Sequence, residues 1–193
     1  MTSSSTPTHL RRRSGARRVG PRRERAEVPG AAVQPLICVI EIPQGSRNKY
    51  EYDPGLGGIK LDRFISASAV FPTDYGYVPQ TLAPDGDPLD VLVCVSEPTF
   101  PGCIVASKPI GVFKMVDEKG PDDHLLCVPC ADPGWNTLEQ IDELPALLRR
   151  EISHFFTIYK DLDEGRCSEV KGWGTREEAL RLVAQAQERF RRQ

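Results

Sequence analysis

Asp85-Gly86-Asp87-Pro88-Leu89-Asp90 runs straight into Val91-Leu92-Val93-Cys94-Val95. The second half is apolar and β-branched, the composition of a buried strand. The first half holds three carboxylates within six residues, with Gly and Pro to turn the chain. Like charges that close repel, and a packed protein tolerates them where something neutralises them. A hard divalent cation, which takes oxygen ligands, is the simplest neutraliser. The plainer alternative is a polar hairpin loop in which Asp serves only to form the turn. On either reading a tight turn feeds a rigid strand.

Working outward, short strand-like runs recur on both sides. Leu36–Ile42, Lys49–Asp53 and Ile59–Phe64 read as strands, the last two separated by the turn Pro54-Gly55-Leu56-Gly57-Gly58. Leu89–Val95, Ile104–Val112 and Leu125–Val128 follow, with Phe113–Val116 continuing one of them. Strands at this spacing predict a small barrel. Two helices come after. Leu144, Leu147, Leu148, Ile152, Phe155, Phe156 and Tyr159 recur at helical spacing, with Pro145 suited to a first turn. Thr175-Arg-Glu-Glu178 is a capping box that opens a last helix through about Phe190. The class is α+β, a barrel with two principal helices packed on it.

The 193 residues give room for one ordinary domain. Net charge is −2, but it is split along the chain. The first 35 residues hold eight arginines (11, 12, 13, 17, 18, 22, 23 and 25) against Glu24 and Glu27. The rest carries 17 basic and 25 acidic groups, a net of −8. Residues 1–34, rich in Arg, Ser, Thr, Pro and Gly, are expected to form a disordered basic extension. A transit-like presequence, a basic interaction tail and an upstream start codon all fit that composition. Residues 35–193 are expected to form a single domain, whose acidity argues against nucleic-acid binding. No apolar run approaches the roughly 20 residues a membrane helix needs. The expected location is the cytoplasm, with reduced thiols at Cys38, Cys94, Cys103, Cys127, Cys130 and Cys167. The lone Cys127-Val-Pro-Cys130 pair has neither the second such pair nor the nearby His pair that structural zinc usually needs.

Further carboxylates lie near strand ends: Glu41 in the first strand, then Asp117 and Asp122 around a loop after an apolar strand. With Asp85, Asp87 and Asp90 they make a pool larger than one ion needs, and that points to several Mg²⁺. Lys49, Arg63 and Lys160 accompany them. Carboxylates for metal and cations for an anion suit a substrate that is itself a phosphate–metal complex.

Seven motifs then occur in order: Glu41-Ile-Pro43, Lys49-Tyr-Glu51, Asp62-Arg-Phe64, Pro72-Thr-Asp-Tyr-Gly-Tyr77, Asp85-Gly-Asp-Pro-Leu-Asp90, Lys114-Met-Val-Asp117 and His154-Phe-Phe-Thr-Ile-Tyr-Lys160. From about Val39 to the last helix, the chain resembles the family I soluble inorganic pyrophosphatases of bacterial type. The resemblance implies an OB-like five-stranded β-barrel with additional strands, and a homo-oligomer, usually a hexamer. It implies hydrolysis of pyrophosphate, taken as its Mg complex, with several Mg²⁺ per site and Mn²⁺ as a substitute. Asp85, Asp90 and Asp122 match ligands of the activating ions, and Asp117 and Glu41 match ligands of further ions. Asp87 matches the carboxylate that takes a proton from the attacking water, a role Asp122 could share. Lys49, Arg63, Tyr75, Tyr159 and Lys160 match phosphate-holding groups, and Glu51 a supporting acid.

Two positions depart from the family pattern. Phe71 stands where a Tyr is usual and His124 where a Lys is usual. A lost neutral hydrogen bond is worth roughly 0.5–1.5 kcal/mol. A His is mostly neutral at pH 7, so a phosphate-facing cation is expected to be missing. These changes support an alternative, a weakened or inactive metal-binding homologue. An OB-fold nucleic-acid binder is a third reading, and the acidic body opposes it. His154, among helix apolars, reads as a packed or interface residue.

Overall fold

The computed structural model describes residues 34–193. The extension expected to be disordered therefore lies outside the described residues, save Gln34. The strands are β1 (Leu36–Ile42), β2 (Asn48–Asp53), β3 (Gly58–Phe64), β4 (Asp74–Val78), β5 (Leu89–Val93), β6 (Ile104–Asp117), β7 (Gly120–Pro121), β8 (His124–Pro129) and β9 (Ser168–Gly174). The helices are α1 (Ala146–Ile158) and α2 (Arg176–Arg191).

β1, β4, β5, β8 and β6 pair in that order, and β6 pairs back to β1, so five strands close a ring. β5–β8 is the parallel pair of the ring; the other pairings are antiparallel. The ring closes because β6 is long. Its first residues pair β1, its middle pairs β8, and its end pairs β9 and β7. The runs expected as Ile104–Val112 and Phe113–Val116 are thus one 14-residue strand. β1 alternates, with Cys38, Ile40 and Ile42 buried, whereas β8 is buried at all six positions. That difference follows from one covered face against two. β2 and β3 form a separate hairpin with Lys49 opposite Arg63.

β4 and β9 are strands beyond those expected from sequence patterning. In β4, Gly76 faces Ile40 of β1, and a Cβ there would sit 1.9 Å from the Val39 carbonyl oxygen. Only glycine allows that close approach of two backbones.

Two apolar layers cover the ring. On one side Ile152, Phe155 and Phe156 of α1 join Phe71, Leu92, Phe113 and Leu126. Phe113 sits 5.0 Å from both Phe156 and Trp173 of β9, ring centroid to centroid. A fully buried Phe such as Phe156 stabilises the fold by roughly 1.5–3 kcal/mol. On the other side Ala179 and Ala186 let α2 lie close on Cys38, Val91, Val112 and Leu125. Pro145 takes the N-cap position of α1 and Leu144 packs beneath it, outside the helix. At α2 the Thr175 hydroxyl accepts from Glu178 N, and Glu178 accepts from Thr175 N, as the capping box predicts.

Candidate active site

The parallel pair of strands sets the centre of the site. Asp90 stands in β5, His124 opens β8, and Asp122 lies just before it, its backbone N–H held by Met115 O at 2.9 Å. His124 Nε2 is 3.0 Å from Asp122 Oδ1 and 3.7 Å from Asp90 Oδ2. Burial pushes the Asp90 carboxyl up to about 6, against the pull of His124. Burial would raise Asp122 as well, but the His124 ring overcomes it and leaves that carboxyl below its ordinary value. Burial opposes charge on His124, yet Asp122 and then Asp90 raise it above its usual value. Tyr75 of β4 lies edge-on to His124, with centroids 5.5 Å apart, and burial together with the nearby Asp90 charge holds its phenol well above the ordinary value.

Glu41 flanks this centre from β1. Its Oε1 accepts the Tyr52 N–H at 2.7 Å. Burial lifts it to about 7 despite that bond, and the field of Asp90 adds to the rise. Lys49 bonds Glu51 on the neighbouring hairpin and lies 3.7 Å from Asp62. Arg63 binds Asp62 at 2.6 Å and faces Asp163 at 3.8 Å.

The opposite flank is Tyr159-Lys160, just past α1. Lys160 Nζ donates to Asp117 Oδ2 at 3.0 Å and to Glu118 Oε2 at 2.9 Å. Burial disfavours its charge, but Glu118 and Asp117 overcome that and hold it above its ordinary value. Glu118 is driven down to about 2 against its own desolvation, by Lys160 and by the Cys167 N–H. Burial lifts the Tyr159 phenol to about 12, and Asp122 and Asp117 are among the charges it feels.

Asp85 and Asp87 stay on the exposed turn. Asp85 Oδ1 accepts the Asp87 N–H at 3.1 Å, and Gly86 takes the positive φ of 96° that such a turn requires. The centre is thus Asp90–Asp122–His124, with Glu41, Lys49, Tyr75, Lys160 and Asp117 around it, and the Asp85/Asp87 turn adjoins it through β5.

Two features were not read from the sequence. Glu118 serves as second partner to Lys160, across 42 positions of chain. His124 points its Nε2 at the carboxylates of Asp122 and Asp90. Phe71 is 2% exposed and packs 4.7 Å from Phe155 and 5.5 Å from Tyr75.

A closed five-stranded ring bearing clustered carboxylates beside paired lysines and arginine defines an enzyme of phosphate chemistry. The inorganic pyrophosphatase family profile matches residues 38–191. An inorganic pyrophosphatase of Streptomyces coelicolor is 51% identical over 154 residues, 80% of this chain and 94% of its own. One from Methanosarcina mazei is 49% identical, covering 81% of this chain and 92% of its own. The crystal structure of the Thermus thermophilus inorganic pyrophosphatase superposes with a TM-score of 0.81 at 42% identity, over 86% of this chain and 96% of that one. The chain belongs to the inorganic pyrophosphatase family, hydrolases of pyrophosphate.

Proposed function

We propose that this chain hydrolyses inorganic pyrophosphate to two orthophosphates with several Mg²⁺ ions per site, as a cytoplasmic homo-oligomer of hexameric type. The observation that carries this reading is the meeting of Asp90 and Asp122 between cation-bearing flanks, Lys49 on one side and Lys160 on the other. The donor set fits hard divalent cations. Carboxylate oxygens dominate it, and burial holds Glu41 and Asp90 above their ordinary values, a strain that a bound cation would relieve. Asp85, Asp90 and Asp122 would hold the activating ions, with Asp117 and Glu41 holding others. Bound Mg²⁺, or Mn²⁺ in its place, would supply Lewis acidity and neutralise the substrate's charge.

The chain's own groups do the rest. Asp87, exposed at the turn, would take the proton of the attacking water. Lys49, Arg63 and Lys160 each start paired to a carboxylate. Phosphate oxygens would replace those partners, so the cations are held in position before substrate arrives. Tyr75 and Tyr159 present hydroxyls beside the same carboxylates, and Glu51 positions Lys49.

The test replaces Asp90 and Asp122 singly by Asn and follows phosphate release. Each variant should keep its fold by circular dichroism and lose about a hundredfold or more in kcat/KM. Wild-type turnover in Asp122→Asn would contradict the reading.

A further inference from the structure

His124 is the site residue that an all-carboxylate scheme leaves without work. It is 1% exposed. Tyr75, Phe113 and Phe156 surround its ring, with centroids at 5.5, 6.0 and 5.1 Å. That aromatic wedge fixes which way the ring faces. Nε2 points at Asp122 Oδ1 (3.0 Å) and Asp90 Oδ2 (3.7 Å), and ligand atoms of the three residues lie within 4.8 Å of one another. Two donors each about 2.1 Å from one ion stand about 3.0 Å apart at right angles and about 3.4 Å apart at the tetrahedral angle. The spacings at Nε2 lie near that range. Among the described residues Nδ1 has no hydrogen-bond partner, so Nε2 is the ring nitrogen that engages the site. Without metal, Nε2–H donates to Asp122; a cation entering between Nε2 and the two carboxylates would displace that proton, as binding at a histidine requires.

We propose that His124 Nε2 is a metal ligand that completes, with Asp90 and Asp122, a mixed nitrogen–oxygen site preferring a first-row transition-metal cation over Mg²⁺. The inference rests on the reading of Asp90 and Asp122 as metal-holding residues. Mg²⁺ favours oxygen donors, whereas imidazole suits Mn²⁺, Co²⁺ and Zn²⁺ progressively better. The lysine usual at this position in the family offers a cation and no lone pair at neutral pH. This one replacement would therefore retune which ion binds.

The test uses full-length protein loaded with Mn²⁺ alone. Pulsed electron paramagnetic resonance should detect ¹⁴N coupling to the bound Mn²⁺. In His124→Gln, with its fold checked by thermal melting, the coupling should vanish. Titration should show that variant losing about tenfold or more in Mn²⁺ affinity, with little change for Mg²⁺. Mn²⁺ bound at a site that Asp122→Asn weakens, but with no ¹⁴N coupling in the wild type, would overturn the proposal and leave the carboxylate site standing. Mn²⁺ binding indifferent to both Asp90→Asn and Asp122→Asn would overturn both.

Discussion

The ammonium of Lys160 sits 3.0 Å from the carboxylate of Asp117, in a buried niche that Glu118 completes at 2.9 Å. Lys160 comes from the end of α1 and Asp117 from the end of β6, so the pair joins the helix layer to the ring. A hydrogen bond to a charged group contributes about 1.5–3 kcal/mol. Lys160→Met should then lower kcat/KM by about 10- to 150-fold, through KM more than through kcat if Lys160 chiefly holds phosphate. Steady-state kinetics separate the two parameters. Unchanged kinetics would remove Lys160 from the substrate-holding set.

Titration of the site gives a second expectation. Burial sets Glu41 at about 7 and Asp90 at about 6. Both are raised carboxyls, so both hold protons below these values and lose them above. Divalent-cation affinity should climb as pH rises from about 6 to about 7, with release of protons on binding. Calorimetry at pH between those values, in buffers of different ionisation heat, counts the protons. The same shift acts on the metal-free fold with the opposite sense. As pH rises from the ordinary 4.5 to about 7, the unfolded chain gives up the Glu41 proton before the folded one does, and stability falls.

Gly76→Ala tests the closure of the ring. The added methyl would meet the Val39 carbonyl at 1.9 Å, backbone against backbone, with no flexible side chain to yield. Its cost should reach or exceed the about 1–3 kcal/mol typical of overpacking. Thermal melting reads the loss, and a melting temperature equal to wild type would contradict the β1–β4 register.

Thr175→Ala is the contrasting case. It removes the side-chain cap of α2 and should cost about 0.5–2 kcal/mol. That corresponds to a drop of a few degrees in Tm, with kcat/KM unchanged.

Much of this was legible in the chain. β1, β5 and β8 announced themselves because burial imposes apolar composition, and α2 because its cap is local. β4 stayed hidden because Asp74-Tyr-Gly-Tyr-Val78 contains a glycine that reads as a turn until β1 is laid against it. β9 stayed hidden because Ser168-Glu-Val-Lys-Gly-Trp-Gly174 pairs only β6 and keeps Glu169 and Lys171 in solvent. The pool of site carboxylates and cations was readable from residue type and motif order. Their pairing was not, since Lys160–Glu118 and His124–Asp90 are set by tertiary folding. His124 is the sharpest instance. As a sequence position it marked a missing cation; in the fold, rings from β4, β6 and α1 aim it at two carboxylates.

Release of orthophosphate from pyrophosphate by the purified chain, measured with Mg²⁺ and again after chelation of all divalent cations, tests the central claim most directly. The account predicts rapid release with Mg²⁺, none above background after chelation, and recovery when Mg²⁺ or Mn²⁺ is restored. Release that persists undiminished in excess chelator, or no release with either ion, would contradict it.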